Sequence, residues 1–593
     1  MRFPYRWAAV LAGLILPLAM LGMAFTANGA KTPAAENRPP GPRLVVLLLF
    51  DQLRGDYLER WDDLFNEDGF HRLEREGAWF QNCHYPYAHT VTAAGHGSVG
   101  TGCSPNVHGI ADNDWYERET ATRVNCVAGK PPDRYERVPP LPGKPGERKK
   151  SYGVAPDRLL APALGDAFMD GTGGKSRIVS LSFKDRGAVL FAGHQPNADC
   201  FWFDSDSGSF VTSTYYRDRL PDWVKQFNAG RPADAWFGKD WTRLRPDLDY
   251  EALSGPDDVE GEGKGVGTPG SSKAGPAVYQ GRVFPHRMTG GLMKPGRGYY
   301  DTLYNSPFGN DLLLQLAKRA IDAEQLGQHN VPDLLCISFS CNDSVGHTWG
   351  PDSQEVLDMT LRTDRLVGDL LNYLDDKVGE DAYVVGLTAD HGVCPLPEVA
   401  KARGKDAGRI DSLSLGSRAQ KALEDAFGKT EGNGRWIEAT SLPWFYLNYK
   451  LIDKRHLKRA DVENTLARWL EKQTGIQKAY TASELRGGVS PSDQLGQSVL
   501  RSYYPGRSGD VVVIPKPNYI LHPLRSGTTH GTPHEYDTHV PLLVCGPGIS
   551  AGVHSELISP QALPVILCEA ADIKAPAKAQ AVVPAGIMQP AKP

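Results

Sequence analysis

The chain predicts an α/β protein with a mostly parallel central sheet flanked by helices. Three uninterrupted apolar runs point to it. Leu44–Phe50 (LVVLLLF) ends at Asp51, residues 333–340 (DLLCISFS) lead to Asp343, and residues 382–388 (AYVVGLT) end just before Asp390. Runs of this length without polar alternation suit strands covered on both faces. Between the second and third lies an amphipathic helix over 354–374. Val356, Met359, Thr363, Val367, Leu370 and Leu374 share one face, and Asp352 or Ser353 caps it. Strand–helix–strand is a parallel unit, and ligands of such sheets bind beyond the carboxyl ends of the strands. Asp51, Asp343 and Asp390 all stand there, so the three runs argue for one site.

The remaining organisation follows the chain. Arg2 and Arg6 precede an uncharged apolar run over 7–27, then small residues to Ala30. That is the layout of a signal peptide over 1–30, followed by a linker over 31–43. The run approaches the roughly 20 residues that span a bilayer, so an uncleaved anchor is the alternative. Either way the body is exported, periplasmic or secreted. A catalytic domain over 44–570 would carry cap insertions at about 110–175 and 200–300, which are rich in Trp, Tyr, Pro and Gly. A smaller α/β insertion would lie at about 405–525, and a loose Ala/Pro/Lys-rich tail at 571–593. A net charge of -5 over 593 residues gives no sign of a nucleic-acid-binding surface. Nine cysteines, an odd count, show no CxxC metal spacing. In an oxidising compartment some of them can pair, though not in a connectivity that sequence reveals.

The chemistry rests on short Asp/His segments. Asp51 alone reads as well as a helix cap as a ligand. Asp343 and His347 are four apart and share a helix face. Asp390-His391 precedes Gly392, which permits a sharp turn. Thr529-His530-Gly531 is followed by His534, an alternative ligand. Carboxylates and imidazoles are the ligands zinc takes in catalytic sites, and paired metals suit displacement at phosphorus. Thr92, in Thr92-Ala93-Ala94-Gly95-His96, stands where the sequence predicts a helix start, and a helix N-terminus favours phosphate. Its hydroxyl is the candidate nucleophile. Thr90 and Thr101 are neighbouring candidates, while His96 and His108 read better as core or loop residues. Lys184 and Arg186, i and i+2, point the same way if the segment is extended.

Singly these segments are weak, but their order is specific. FDQLRGD, T-A-A-G-H, H-G-I-x-x-N-x-W, D-x-x-x-H, A-D-H-G and T-H-G together resemble the alkaline phosphatase superfamily, in its nucleotide pyrophosphatase/phosphodiesterase branch. Ser182-Phe183-Lys184-Asp185-Arg186-Gly187 is similar to the Lys-x-Arg signature of the phosphate-irrepressible alkaline phosphatases. The resemblance covers about 44–550. It implies two Zn2+ per subunit, one held by Asp343, His347 and His530, the other by Asp51, Asp390 and His391 with Thr92 touching it. It also implies Asn113, Lys184 and Arg186 on the phosphoryl oxygens, with small phosphate monoesters as substrates and a phospho-threonine intermediate. Two cations match a dianionic monoester better than a singly charged diester, so diester hydrolysis is the rival. A non-catalytic metal- or phosphate-binding surface protein is the more distant one. Cys103-Ser104-Pro105-Asn106-Val107 is superficially similar to the sulfatase Cys-x-Pro-x-Arg motif, but Val107 stands where arginine is required.

Overall fold

A computed structural model describes residues 41–141, 152–269, 277–432 and 434–589. The signal segment expected over 1–30 lies outside the described residues.

The three apolar runs form the middle of a ten-stranded sheet. Its order from one edge is Gly552–His554, Gly77–Phe80, Leu542–Cys545, Tyr383–Thr388, Leu44–Phe50, Asp333–Phe339, Ile178–Ser182, Asp199–Asp204, Ser209–Ser213 and Arg137–Val138. The five strands from Tyr383–Thr388 to Asp199–Asp204 run parallel. Leu542–Cys545 is antiparallel to both its neighbours, and Ser209–Ser213 to both of its own. Every residue of Leu44–Phe50 and Asp333–Phe339 is buried, as a central strand covered on both faces requires. In the register, Phe50 pairs with Phe339 and Leu49 with Thr388, so the three strands end level. Asp51, Asp343 and Asp390 therefore follow the carboxyl ends of three central strands on the same side of the sheet.

The helix between the second and third runs spans Gln354–Lys377, and Ser353 rather than Asp352 caps it by accepting from the Val356 N–H. The expected cap insertions need correcting. Arg137–Val138, Asp199–Asp204 and Ser209–Ser213 belong to the main sheet, so the segments at about 110–175 and 200–300 contribute strands to the core. Residues 408–521 build a four-stranded antiparallel sheet of Ile437–Ser441, Trp444–Leu447, Val511–Pro515 and Ile476–Thr481 with its own apolar cluster.

The tail is not loose over its described part. Ile573 and Ile587 are buried, and the Gln580 side chain accepts from the Ser104 N–H at 2.9 Å. All nine cysteines are free, eight of them buried, including Cys341 and Cys394. No helix of the described residues is long and apolar enough to cross a membrane.

Candidate active site

Three strand ends supply the floor of the site. Asp51 directly follows Leu44–Phe50, and its N–H donates to Phe339 O at 2.9 Å, which prolongs the ladder by one residue. Asp343 and His347 lie one turn apart on the helix Cys341–Trp349, and His347 Nε2 comes within 3.1 Å of Asp343 Oδ1. Asp390 and His391 follow Tyr383–Thr388 and are fully buried. The glycine after them serves close approach rather than an unusual backbone angle. A Cβ at Gly392 would lie 2.1 Å from Tyr536 O, and its φ is not positive.

The three imidazoles are oriented the same way. His347 Nδ1 bonds Thr528 O at 2.7 Å, His530 Nδ1 bonds Thr90 O at 2.8 Å, and His391 Nδ1 bonds Gly392 O at 2.9 Å. A carbonyl can only accept, so each Nδ1 donates a proton there and each Nε2 is the ring atom turned toward the site. Those Nε2 atoms face carboxylates: His530 lies 3.7 Å from Asp343, and His391 lies 3.4 Å from Asp51 and 3.6 Å from Asp390. The rings of His391 and His530 stack at 3.5 Å. His534 does not join them, because its Nε2 bonds Pro515 O at 2.9 Å.

Thr92 opens the helix Thr92–Thr101, whose ten residues are all buried. The glycines of TAAGHGSVGT make that burial possible. A Cβ at Gly95 would meet Asp390 O at 2.3 Å and Asp390 Cβ at 2.5 Å. The helix thus lies directly against the Asp390 loop. We expect Gly95→Ala to push them apart and lower kcat/KM by about 100-fold, the scale of an ångström's misplacement, with a depressed melting temperature in the same preparation.

The two cations are placed differently from an extended segment. Lys184 is the N-cap of the helix Asp185–Ala192 and Arg186 is in its first turn. Lys184 Nζ donates to Asp51 Oδ2 and Asp343 Oδ2, both at 2.7 Å, and lies 3.3 Å from Thr92 Oγ1. Arg186 Nε is buried with no hydrogen-bond partner, so a planar donor is left for a ligand. Asn113 Oδ1 accepts from the Ala93 N–H at 2.9 Å, which fixes the amide against the helix start and leaves Nδ2 as its donor.

Burial is the main influence on ionisation here, with neighbouring charges acting on top of it. Burial, then the carboxylates of Asp343 and Asp390, hold Asp51 well above the carboxylate range. Burial raises Asp390 to about 7, although Lys184 opposes it. Burial also lowers His530 to about 3 and drives His391 well down, so both imidazoles are neutral, as metal ligands must be. Burial works against the charge on Lys184 too, but Asp343 and Asp51 outweigh it and raise the ammonium.

The donor set fits divalent cations. Asp51 Oδ1, Asp390 Oδ2 and His391 Nε2 are buried without hydrogen-bond partners. Donor atoms of Asp51, Asp390 and His391 lie within 4.8 Å of one another, as do those of Asp343, His391 and His530. His347 joins the second group through Asp343 and stands at the mouth, its side chain a third exposed. His391 sits between the two groups. Two residues with no assigned role also reach the site. His96 is buried between Thr92 O and Ser338 Oγ, both at 2.8 Å, and its Nδ1 lies 3.2 Å from Asp390. Gln52 touches both Asp343 and Asp390. Neither contact is local in sequence: His96 reaches Ser338 and Asp390 because its helix packs against the strand ends, and Gln52 reaches its partners from the turn after Leu44–Phe50.

The chain is similar to known proteins in sequence and in fold. Residues 45–537 match the family described as Type I phosphodiesterase / nucleotide pyrophosphatase. The chain is 34% identical over 552 residues to alkaline phosphatase PafA of Elizabethkingia meningoseptica, covering 93% of this chain and 92% of that protein. It is 32% identical to a Myroides odoratus protein named a calcium-transporting ATPase, over 86% of this chain and 88% of that one. It is 33% identical to alkaline phosphatase PhoV of Synechococcus elongatus, over 86% of each chain. The crystal structure of wild-type PafA superposes with a TM-score of 0.83 at 32% identity, covering 93% of this chain and all of that one. The chain belongs to the type I phosphodiesterase/nucleotide pyrophosphatase family and is an enzyme of its alkaline phosphatase kind.

Proposed function

We propose that the protein is an exported, zinc-dependent phosphomonoesterase that works through a phospho-threonine on Thr92. The observation that carries this reading is the position of Lys184 Nζ. It touches Asp51 and Asp343, one from each ligand set, and lies 3.3 Å from Thr92 Oγ1. Nucleophile, cation and both ligand sets thus share one point.

Asp343, His347 and His530 would hold one zinc, and Asp51, Asp390 and His391 the other. Bound there, the ions would supply Lewis-acid stabilisation to the attacking and leaving oxygens. The chain's own groups do the rest. The Asn113 amide, Lys184 and Arg186 receive the phosphoryl oxygens and hold phosphorus in line with Thr92 Oγ1. That oxygen forms the new P–O bond as the ester P–O bond breaks and the alcohol leaves. Water then attacks the phospho-threonine, releases inorganic phosphate and restores the hydroxyl. Positioning and fixed charge account for nearly all of the acceleration.

Diester hydrolysis is the second reading, favoured by the family to which the chain belongs. Rates on an aryl phosphate and on its methyl diester separate the two, and a clear diester preference would sink the monoesterase. Chelation tests the metal. Stripping the protein with a strong chelator is expected to abolish turnover. It should also lower the melting temperature, because a ligand at 100 times its Kd stabilises the folded state by about 2.7 kcal/mol. Zinc should restore both; full activity in a preparation shown by elemental analysis to be metal-free would refute the proposal.

A further inference from the structure

Gln52 stands in an unusual backbone conformation at the junction of the two ligand sets. It follows Asp51 at the end of the central strand, and its φ is +67°, in the left-handed region that side chains other than glycine rarely occupy. Such a conformation is strained and persists where its surroundings enforce it. Here the turn aims the Gln52 N–H at Asp390 Oδ1, 3.1 Å away. Its side chain crosses to the other set, where Nε2 donates to Asp343 Oδ1 at 2.7 Å. A carboxylate can only accept, so this bond fixes which way the amide faces. Gln52 is 3% exposed, and its Oε1 has no hydrogen-bond partner. The helix opposite is shaped to admit it. A Cβ at Gly346, one residue before His347, would lie 1.9 Å from Gln52 Oε1.

We propose that Gln52 is a positioning residue that serves each ligand set through a separate contact, its main-chain N–H fixing Asp390 and its side-chain amide fixing Asp343. The inference rests on the two-metal reading above. The two contacts are separable, because a substitution at Gln52 removes the amide and keeps the N–H. Removing a group that orients a metal ligand typically costs 10–100-fold in metal affinity or activity. The loss should therefore fall on one set only, the set containing Asp343.

The test is stepwise zinc binding to the metal-stripped full-length protein, followed by calorimetry, with His347→Ala marking which step belongs to the Asp343 set. In Gln52→Met, which keeps the length and removes the amide, that step should weaken by about 10–100-fold while the other stays within about threefold. Monoester turnover at limiting zinc should fall in parallel and recover with excess zinc. Gln52→Glu, which sets a second carboxylate against Asp343, should weaken the same step further. Gly346→Ala should reproduce the one-step loss from the opposite side, and it serves as the test should Gln52→Met fail to fold. Two wild-type-like steps in Gln52→Met, or equal weakening of both, would overturn the proposal. A single step in the wild-type protein would instead overturn the two-metal reading on which it rests.

Discussion

Replacing Thr92 by alanine is expected to lower kcat on phosphate monoesters by at least about a thousand-fold, a loss of roughly 4 kcal/mol of transition-state stabilisation. The reason is geometric. Thr92 is 2% exposed and fixed at the first position of a fully buried helix, so no neighbouring hydroxyl can move in to replace it. Thr90 is the nearest alternative, but its Oγ1 donates to Thr532 O at 2.9 Å and is already engaged. Thr101 lies at the far end of the same helix, where its hydroxyl bonds Gly97 O. Thr92→Ser should retain much of the activity, since it keeps the attacking oxygen and loses only a methyl group. Mass spectrometry of acid-quenched enzyme should find phosphate on residue 92 in the wild type and in Thr92→Ser, and none in Thr92→Ala. Unchanged turnover in Thr92→Ala, with the zinc content intact, would remove Thr92 from the mechanism and leave direct attack by water.

What could be read in the sequence was what depends on short range. A buried parallel strand writes itself as an apolar run, so Leu44–Phe50, Asp333–Phe339 and Tyr383–Thr388 were legible almost to the residue. An i,i+4 pair on a helix is equally local, which is why Asp343 and His347 could be placed together. The antiparallel edge was not legible. Leu542–Cys545 and Gly77–Phe80 are four residues each, too short for a periodic signal, and only tertiary pairing makes them strands. The orientation of each imidazole was hidden for a similar reason. It depends on carbonyls of Thr90, Thr528 and Gly392, which carry no side-chain signature. The competition between His530 and His534 was visible in the sequence, but the contact that separates them was not, because it is the main-chain Pro515 O that holds the latter. Lys184 and Arg186 were recognisable as a pair, but their setting at a helix start rather than in an extended segment came only from the fold. Gln52 was least accessible of all, because a positive φ in a non-glycine residue leaves no mark on composition or spacing.

Lys184→Ala combined with Arg186→Ala is expected to cut kcat/KM for an aryl phosphate by about 100- to 10,000-fold. That range follows from two hydrogen bonds to a charged group at roughly 1.5–3 kcal/mol each. The methyl diester carries one negative charge fewer, so it should lose less, its loss coming mainly from the Lys184 contacts to Asp51 and Asp343. The quantity that decides is therefore the monoester-to-diester ratio, which should fall by at least about tenfold. The two single substitutions are not equivalent. Lys184 also neutralises Asp51 and Asp343, so Lys184→Ala disturbs the ligand sets along with the substrate contact, and both substrates should suffer. Arg186 touches neither carboxylate; its ion pair is with Asp185 at 4.0 Å, and its Nε has no hydrogen-bond partner. Arg186→Ala is thus the cleaner probe, with KM for the monoester rising and the zinc content unchanged. Arg186→Lys should recover little, because an ammonium cannot reproduce the planar, two-pronged grip of a guanidinium on phosphate. Equal losses on monoester and diester in Arg186→Ala would show that this arginine does not read the second charge. Specificity for the monoester would then have to reside in Asn113 or in the ligand sets themselves.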